Sequence, residues 1–284
     1  SHLKAIGFKN RPQLDAVLAM VDRAGIGFDH YPYPWGSTSL LSLIPPHMMR
    51  DGVTHLLERL GDLSVQNELE GGWSGGRALE QGAPWDNLPA LVGWKNIRIV
   101  HAAHGAADDC RGFPVNEAAA LRGCSPSALV CQVLRDARGD ARMIDEYMEE
   151  EAVVQILRHP AGMIASDSLF GPGAHPRVSG CFPRVFERYV FDRPVLRLEE
   201  AVRKMTGATA AWLGLEDRGL LREGLVADLV VCTGDVAEPE PGSAPRGIRL
   251  VMINGEIVAR DGKRVSGKPS GMILRANGKS DPQR

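Results

Sequence analysis

Apolar positions along this chain recur first at helical and then at strand-like intervals, and the alternation predicts an α/β protein. Between Pro12 and Gly25, Leu14, Val17, Leu18 and Val21 repeat every three or four residues. Proline in the first turn and glycine after the last fit a helix there. The segment IGFDHYPYP, 26–34, then reads as a short strand stopped by prolines. Farther on, Ser125-Pro126 makes an N-cap and first-turn pair for a helix bearing Leu129, Val130, Val133 and Leu134. ARMIDEYM, 141–148, predicts a strand, Val153, Ile156 and Leu157 share a helical face, and 162–165 predicts another strand. Apolar residues at 198, 201, 202, 205, 212 and 213 continue the helical period to Leu213. Strand, helix, strand, helix in succession predicts parallel pairing.

Two regions depart from this rhythm. Residues 35 to about 112 are irregular, with a helical stretch near 53–60, the glycine- and tryptophan-rich GGWSGGR at 71–77, and the strand-like IRIVHAA at 97–103. This part is expected to be an excursion, a lid-like insertion at about 41–112. GGWSGGR lacks the Lys-Ser/Thr of a phosphate loop and reads as a flexible lid. From about 220 the texture becomes strand-like, in LVADLVVC and IRLVMINGEIVARDGKRV. Asn254-Gly255 between two apolar runs is the strongest short-range hairpin signal. The expected division is therefore 1–215 for the main α/β unit and 216–284 for a small β module, ending in the loose tail RANGKSDPQR.

Composition narrows the classes. The 284 residues are 44% hydrophobic and 24% charged, enough for one big domain or for one domain plus a small one. Lys and Arg number 33 against 35 Asp and Glu, a formal charge of -2, which argues against nucleic acid or an anionic membrane as partner. Five cysteines, without a Cys-x-x-Cys pair, argue against a disulfide framework and a thiolate zinc cluster and lead us to expect a reducing, cytoplasmic setting. No long apolar run and no signal-peptide pattern are visible, so no membrane span is expected. The chain opens on Ser1-His2-Leu3-Lys4 with no initiator methionine and reads as truncated or processed.

The chemistry concentrates in GMIASDSLFGPGAHPR, 162–177, where a strand-like run ends on Asp167. In parallel α/β barrels the carboxyl ends of strands face the active-site mouth. That rule puts Asp167, His30 and, if a strand runs into it, His2 at one rim. Two imidazoles and a carboxylate suit a zinc ion, and a nearby aspartate can take a proton from water and hand it to a leaving amine. The same residues have plainer readings. Asp167 also suits a helix N-cap or a turn, His30 a hydrogen-bonded core histidine, and His2 an exposed chain end. Arg177 suits a carboxylate clamp or a structural ion pair. His101 and His104 fit a surface or lid role better than a metal site.

Several segments, taken in order, resemble the C-terminal portion of the D-aminoacylase (N-acyl-D-amino-acid deacylase) family of the amidohydrolase superfamily. They are SHLK at 1–4, FDHYPYPWGSTSL at 28–40, ILRHPAGMIASD at 156–167, HPRVSGCFPRVFERYV at 175–190, LEEAVRKMTGATAAWLGLEDRGLLREGLVADLVV at 198–231 and INGEIVARDGK at 253–263. The resemblance implies the C-terminal half of a TIM-like (β/α)8 barrel with a small β-sandwich. Its fifth strand would end at His2, its sixth lie at 26–31, its seventh near 141–147 and its eighth at 162–166. The implied activity is zinc-dependent hydrolysis of N-acyl-D-amino acids to a carboxylate and a free D-amino acid, with one or two Zn2+ ions. By the same resemblance His2, His30 and Asp167 are metal ligands, Asp167 is the general acid/base, and Lys4, Tyr33, His175 and Arg177 line the substrate pocket. The family's upstream His-x-His pair and metal-binding cysteine have no counterpart here, Leu3 stands for a second histidine, and Cys181 for a frequent threonine. The metal site is therefore expected to be incomplete in this chain, with a complementary N-terminal segment as partner beside the small-molecule substrate. Hydrolysis of a cyclic amide and a non-catalytic remnant are the alternatives.

Overall fold

The helix predicted from Pro12 forms as α1 (Gln13–Ala24), closed by Gly25 in the left-handed conformation at φ 61, with Leu14, Leu18 and Val21 buried. The structure, a computed structural model, describes residues 2–75, 85–240, 243–265, 267, 269–274 and 280–281. After α1 come β1 (Phe28–His30) and β2 (Trp35–Ser39). The irregular region then supplies α2 (Val53–Arg59), α3 (Leu63–Gly75), α4 (Leu88–Val92), β3 (Ile97–Ala102) and α5 (Val115–Leu121). Ser125 caps α6 (Pro126–Asp136) by accepting from the Ala128 N–H at 3.2 Å. Next are β4 (Ala141–Glu146), α7 (Glu150–Arg158) and β5 (Gly162–Ile164).

Strand order decides where the chemistry sits. β1 and β5 pair in parallel, His30 opposite Ile164, and His2 joins the other edge of β1 through a parallel bridge to Asp29. Three parallel segments thus end side by side. The strand at 141–146 is present, but its expected place as a parallel strand between 26–31 and 162–166 is not what forms. β4 is the centre of an antiparallel sheet, β2-β4-β3, with Trp35 opposite Glu146 and Ile97 opposite Asp145. A period-two pattern specifies faces and leaves the partner open. The prolines after β1 turn the chain back at once, and β2 takes the edge of β4.

Two further expectations change. GGWSGGR is no flexible lid as far as Gly75: Trp73 lies on α3, buried, its indole N–H donating to the Leu43 carbonyl at 2.7 Å and its ring set edge-on to Trp94. Gly76 and Arg77 lie outside the described residues. The helix expected across 198–213 is two helices, α9 (Leu198–Met205) and α10 (Gly207–Trp212), reached through α8 (Arg177–Arg184) and the π-helical Val185–Asp192. Thr206 breaks the pair at φ -134, ψ -90. In this arrangement the buried Lys204 donates to the Gly162 carbonyl at 2.9 Å, fastening α9 to the start of β5.

The C-terminal strands β6 (Leu229–Ala237), β7 (Arg246–Ile253), β8 (Glu256–Arg260) and β9 (Lys263–Arg264) form one antiparallel sheet in that order, beside the short ladder of β10 (Ile273–Leu274) and β11 (Ser280–Asp281). Asn254 and Gly255, at φ 50 and 80 between the paired Ile253 and Glu256, make the two-residue hairpin that the sequence announced. Apart from β11, the predicted tail lies mostly outside the described residues. Among the described residues no helix is long and apolar enough to cross a membrane.

Candidate functional site

The parallel segments carry their polar residues at the carboxyl ends, the usual ligand-binding edge of a parallel sheet. Leu3 N–H donates to Asp29 O at 2.9 Å and Ala165 N–H to His30 O at 3.0 Å, so His2, His30 and the start of the Asp167 turn are held in step by main-chain bonds. His30 is 1% exposed. Its Nδ1–H donates to the Leu3 carbonyl at 2.9 Å, while Nε2 is buried with no partner. Burial holds this imidazole neutral, its pKa pushed down to about 3. The lone pair is therefore on Nε2.

His2 repeats the arrangement. Its Nδ1 is bonded to the Asp29 carboxylate, and its Nε2 lies 3.5 Å from Asp167 Oδ1. An imidazole anchored through one nitrogen to a carboxylate or carbonyl presents the other to a metal in a fixed direction. Asp167 takes the left-handed conformation, φ 48, which aspartate tolerates better than most residues. Its second oxygen accepts from Arg177 Nη2 at 2.9 Å, and Ser168 Oγ donates to the Arg177 carbonyl at 3.1 Å. Asp167 is neither the N-cap of a helix nor paired only with solvent.

Arg177 opens α8 and is 3% exposed, its guanidinium 4.6 Å from the Tyr31 ring centroid and its Nε without a partner. The Lys4 ammonium stands 4.9 Å from the same centroid and 5.5 Å from that of Tyr147, with no carboxylate within ion-pair distance among the described residues. The hydroxyls of Tyr31 and Tyr147 are bonded at 2.6 Å. Two cations thus bracket a buried aromatic pair beside the Asp167 turn.

Two expected pocket residues are committed elsewhere. Tyr33 is fully buried, and its hydroxyl donates to Glu238 at 2.6 Å. His175 is saturated: its Nδ1 accepts the Arg177 N–H at 3.0 Å and its Nε2–H donates to the Trp35 carbonyl at 3.2 Å. Burial, helped by Arg177, pushes its pKa down to about 3. His101, on β3, lies 3.7 Å from Asp140, well apart from a ligand set. Among the described residues no three His, Cys, Asp or Glu side chains are close enough to hold one ion, so His2, His30 and Asp167 share a rim without forming a closed cluster.

Asp145 escaped the sequence reading. It is 5% exposed on β4, and burial raises its pKa to about 6 against the opposing influence of Lys4 and Arg177. The available signal was period two: Ala141, Met143 and Asp145 fall on one face, a carboxylate where an apolar residue is due.

These groups make stability depend on pH. An unfolded histidine binds a proton near 6.5, whereas folded His30 and His175 refuse it until about 3. The unfolded chain therefore holds more protons in that window, and stability is lost as pH falls from 6.5 toward 3, by on the order of 1.4 kcal/mol per pH unit for each imidazole. Asp145 works the other way, contributing stability that is lost as pH rises through about 6, but it is one group with a smaller displacement. The expected outcome is a melting temperature that drops steeply between pH 6.5 and 4, read by circular dichroism; a flat profile would contradict the two buried neutral imidazoles.

Comparison with known proteins identifies the family. The profile of the Amidohydrolase family matches residues 85–259. Among curated proteins of Alcaligenes xylosoxydans xylosoxydans, an N-acyl-D-glutamate deacylase is 37% identical over 266 residues, 90% of this chain and 44% of its own. An N-acyl-D-aspartate deacylase is 41% identical over 133 residues, 45% of this chain and 26% of its own. A solved D-aminoacylase with a binuclear metal centre superposes with TM-score 0.70 and 28% identity, over 95% of this chain and 48% of that one. The N-acyl-D-glutamate deacylase of Bordetella bronchiseptica, complexed with zinc and a phosphonate inhibitor, superposes with TM-score 0.66 and 28% identity, over 93% and 48%. The chain spans less than half the length of these relatives. With more than half of its residues matched by the profile, the chain belongs to the amidohydrolase family.

Proposed function

We propose that residues 1–215 are the later part of a (β/α)8 barrel with an insertion at about 41–112, that 216–284 are its β module, and that the whole hydrolyses N-acyl-D-amino acids. The observation that carries the reading is the rim itself: His2 Nε2 at 3.5 Å from Asp167, beside the unpartnered, buried Nε2 of His30. An orphaned imidazole nitrogen in a neutral ring costs free energy unless something accepts its lone pair, and imidazole nitrogen and carboxylate oxygen are both zinc donors. His2, His30 and Asp167 would supply part of the ligand set of a zinc ion, and the complementary N-terminal segment the rest. Bound zinc supplies Lewis acidity toward the amide carbonyl and water.

The chain's own groups do the rest. Lys4, whose ammonium has no carboxylate within ion-pair distance among the described residues, holds the substrate carboxylate, and the buried Arg177 holds Asp167. Asp167, oriented by Arg177, takes the proton from the attacking water and passes it to the amide nitrogen as the C–N bond breaks, leaving a carboxylate and a free amine. The edges of the parallel arc, at His2 and at β5, would pair with strands of a complementary N-terminal segment, for which the half-length match to the relatives is the support.

The test is hydrolysis of matched N-acetyl-D- and L-amino acids by this chain alone and by the chain joined to an upstream segment. The expected result is turnover of the D series, abolished by a chelator and restored by zinc, strongest with the joined chain. Turnover of cyclic amides instead, or of L substrates equally, would overturn the reading.

A further inference from the structure

Glu238 follows β6 directly, in the C-terminal module, yet both its carboxylate oxygens are engaged by the main unit. Oε1 accepts from the Tyr33 hydroxyl at 2.6 Å and Oε2 from Arg184 Nη1 at 2.8 Å, while the Glu238 N–H donates to Glu187 Oε2 at 2.8 Å. Gly180 makes the approach possible: a Cβ there would stand 2.8 Å from Glu238 Cγ and 2.9 Å from the Tyr33 hydroxyl. Arg184 in turn covers the rings of Tyr33 and Trp35, 4.6 and 5.6 Å from their centroids, and its Nε donates to the Pro32 carbonyl at 2.7 Å.

Those two rings wall His175. Tyr33 meets it edge-on at 4.8 Å, Trp35 lies 5.9 Å away, and the Trp35 carbonyl accepts the His175 Nε2–H. His175 then fixes the Arg177 main chain, and Arg177 holds Asp167. We propose that Glu238 is a positioning residue for the Asp167 site, so that the β module sets the aim of the Arg177 to Asp167 pair through Tyr33, Arg184 and His175. For its activity arm the inference rests on the deacylase reading; for its spectroscopic arm it does not. Displacements of about 1 Å at an aligned reaction centre cost up to roughly 100-fold in rate, and a chain of packed rings transmits such displacements because it has little free volume.

The experiment compares Glu238→Ala, which removes both bonds, with Glu238→Gln, which keeps an acceptor for Tyr33 but turns a donor toward Arg184. Each is examined by ring NMR signals of His175 and the guanidinium signal of Arg177, by the pH profile of kcat, and by melting temperature. The expected result is a moved His175 and Arg177 signal and about a tenfold loss of kcat/KM in Glu238→Ala, with Glu238→Gln between it and the parent. If the chain turns over no acyl-D-amino acid at all, the NMR arm still decides the positioning claim, and the deacylase reading fails separately. A lowered melting temperature with unmoved His175 and Arg177 signals and an unchanged pH profile makes Glu238 a plain structural clamp and overturns the proposal.

Discussion

Exchange of Asp167 for Asn is expected to leave the chain folded and to lower hydrolysis of N-acyl-D-amino acids by about 10²–10⁴-fold, the usual weight of one acid/base group. Asparagine is the informative choice because the position has φ 48. It tolerates left-handed backbone nearly as well as aspartate. Its amide oxygen can still accept from Arg177, so the turn keeps its anchor through Arg177 and Ser168. What it loses is the ability to take a proton from water. The check is kcat for a D substrate alongside circular dichroism and melting temperature. An undiminished kcat in a folded variant would remove Asp167 from the chemistry and with it the central step of the proposed mechanism.

In the chain joined to an upstream segment, His30→Ala is expected to abolish tight zinc binding, whereas Asp29→Asn should weaken it by about 10–100-fold, the range for a group that orients a ligand. The two differ because His30 offers the lone pair itself, while Asp29 only anchors the Nδ1 of His2. Zinc per chain after dialysis, and the affinity in competition with a chromogenic chelator, measure both. His30 is buried, so its truncation leaves a hole; His30→Gln, closer in volume, guards against reading a folding defect as lost ligation. Retained zinc in folded His30→Gln and His30→Ala samples would exclude His30 as a ligand.

Local signals were read well from the sequence. Pro12 and Gly25 bound α1, Ser125 caps α6, and Asn254-Gly255 makes its hairpin, because each depends on neighbours a few residues away. The rim was legible too. Asp167 and His30 end strand-like runs, and the ends of parallel strands are where polar groups meet.

Partners at long range were not legible. Whether 141–146 joined the parallel arc or an antiparallel sheet turned on which edge β2 could reach, and a period of two is the same in both. Tyr33 read as a pocket residue until Glu238, 205 positions later, took its hydroxyl. Trp73 sits in a glycine-rich run whose composition suggests looseness, yet its indole found the Leu43 carbonyl and an edge-on contact with Trp94. By itself the sequence determined which residues could form helices, turns and a polar strand end, since those follow from steric and capping preferences of short stretches. Only the tertiary structure decided which carbonyl the His30 Nδ1–H reaches, which carboxylate Arg177 holds and which carboxylate takes the Tyr33 hydroxyl, because burial drives polar groups to partners among whatever the fold brings within reach.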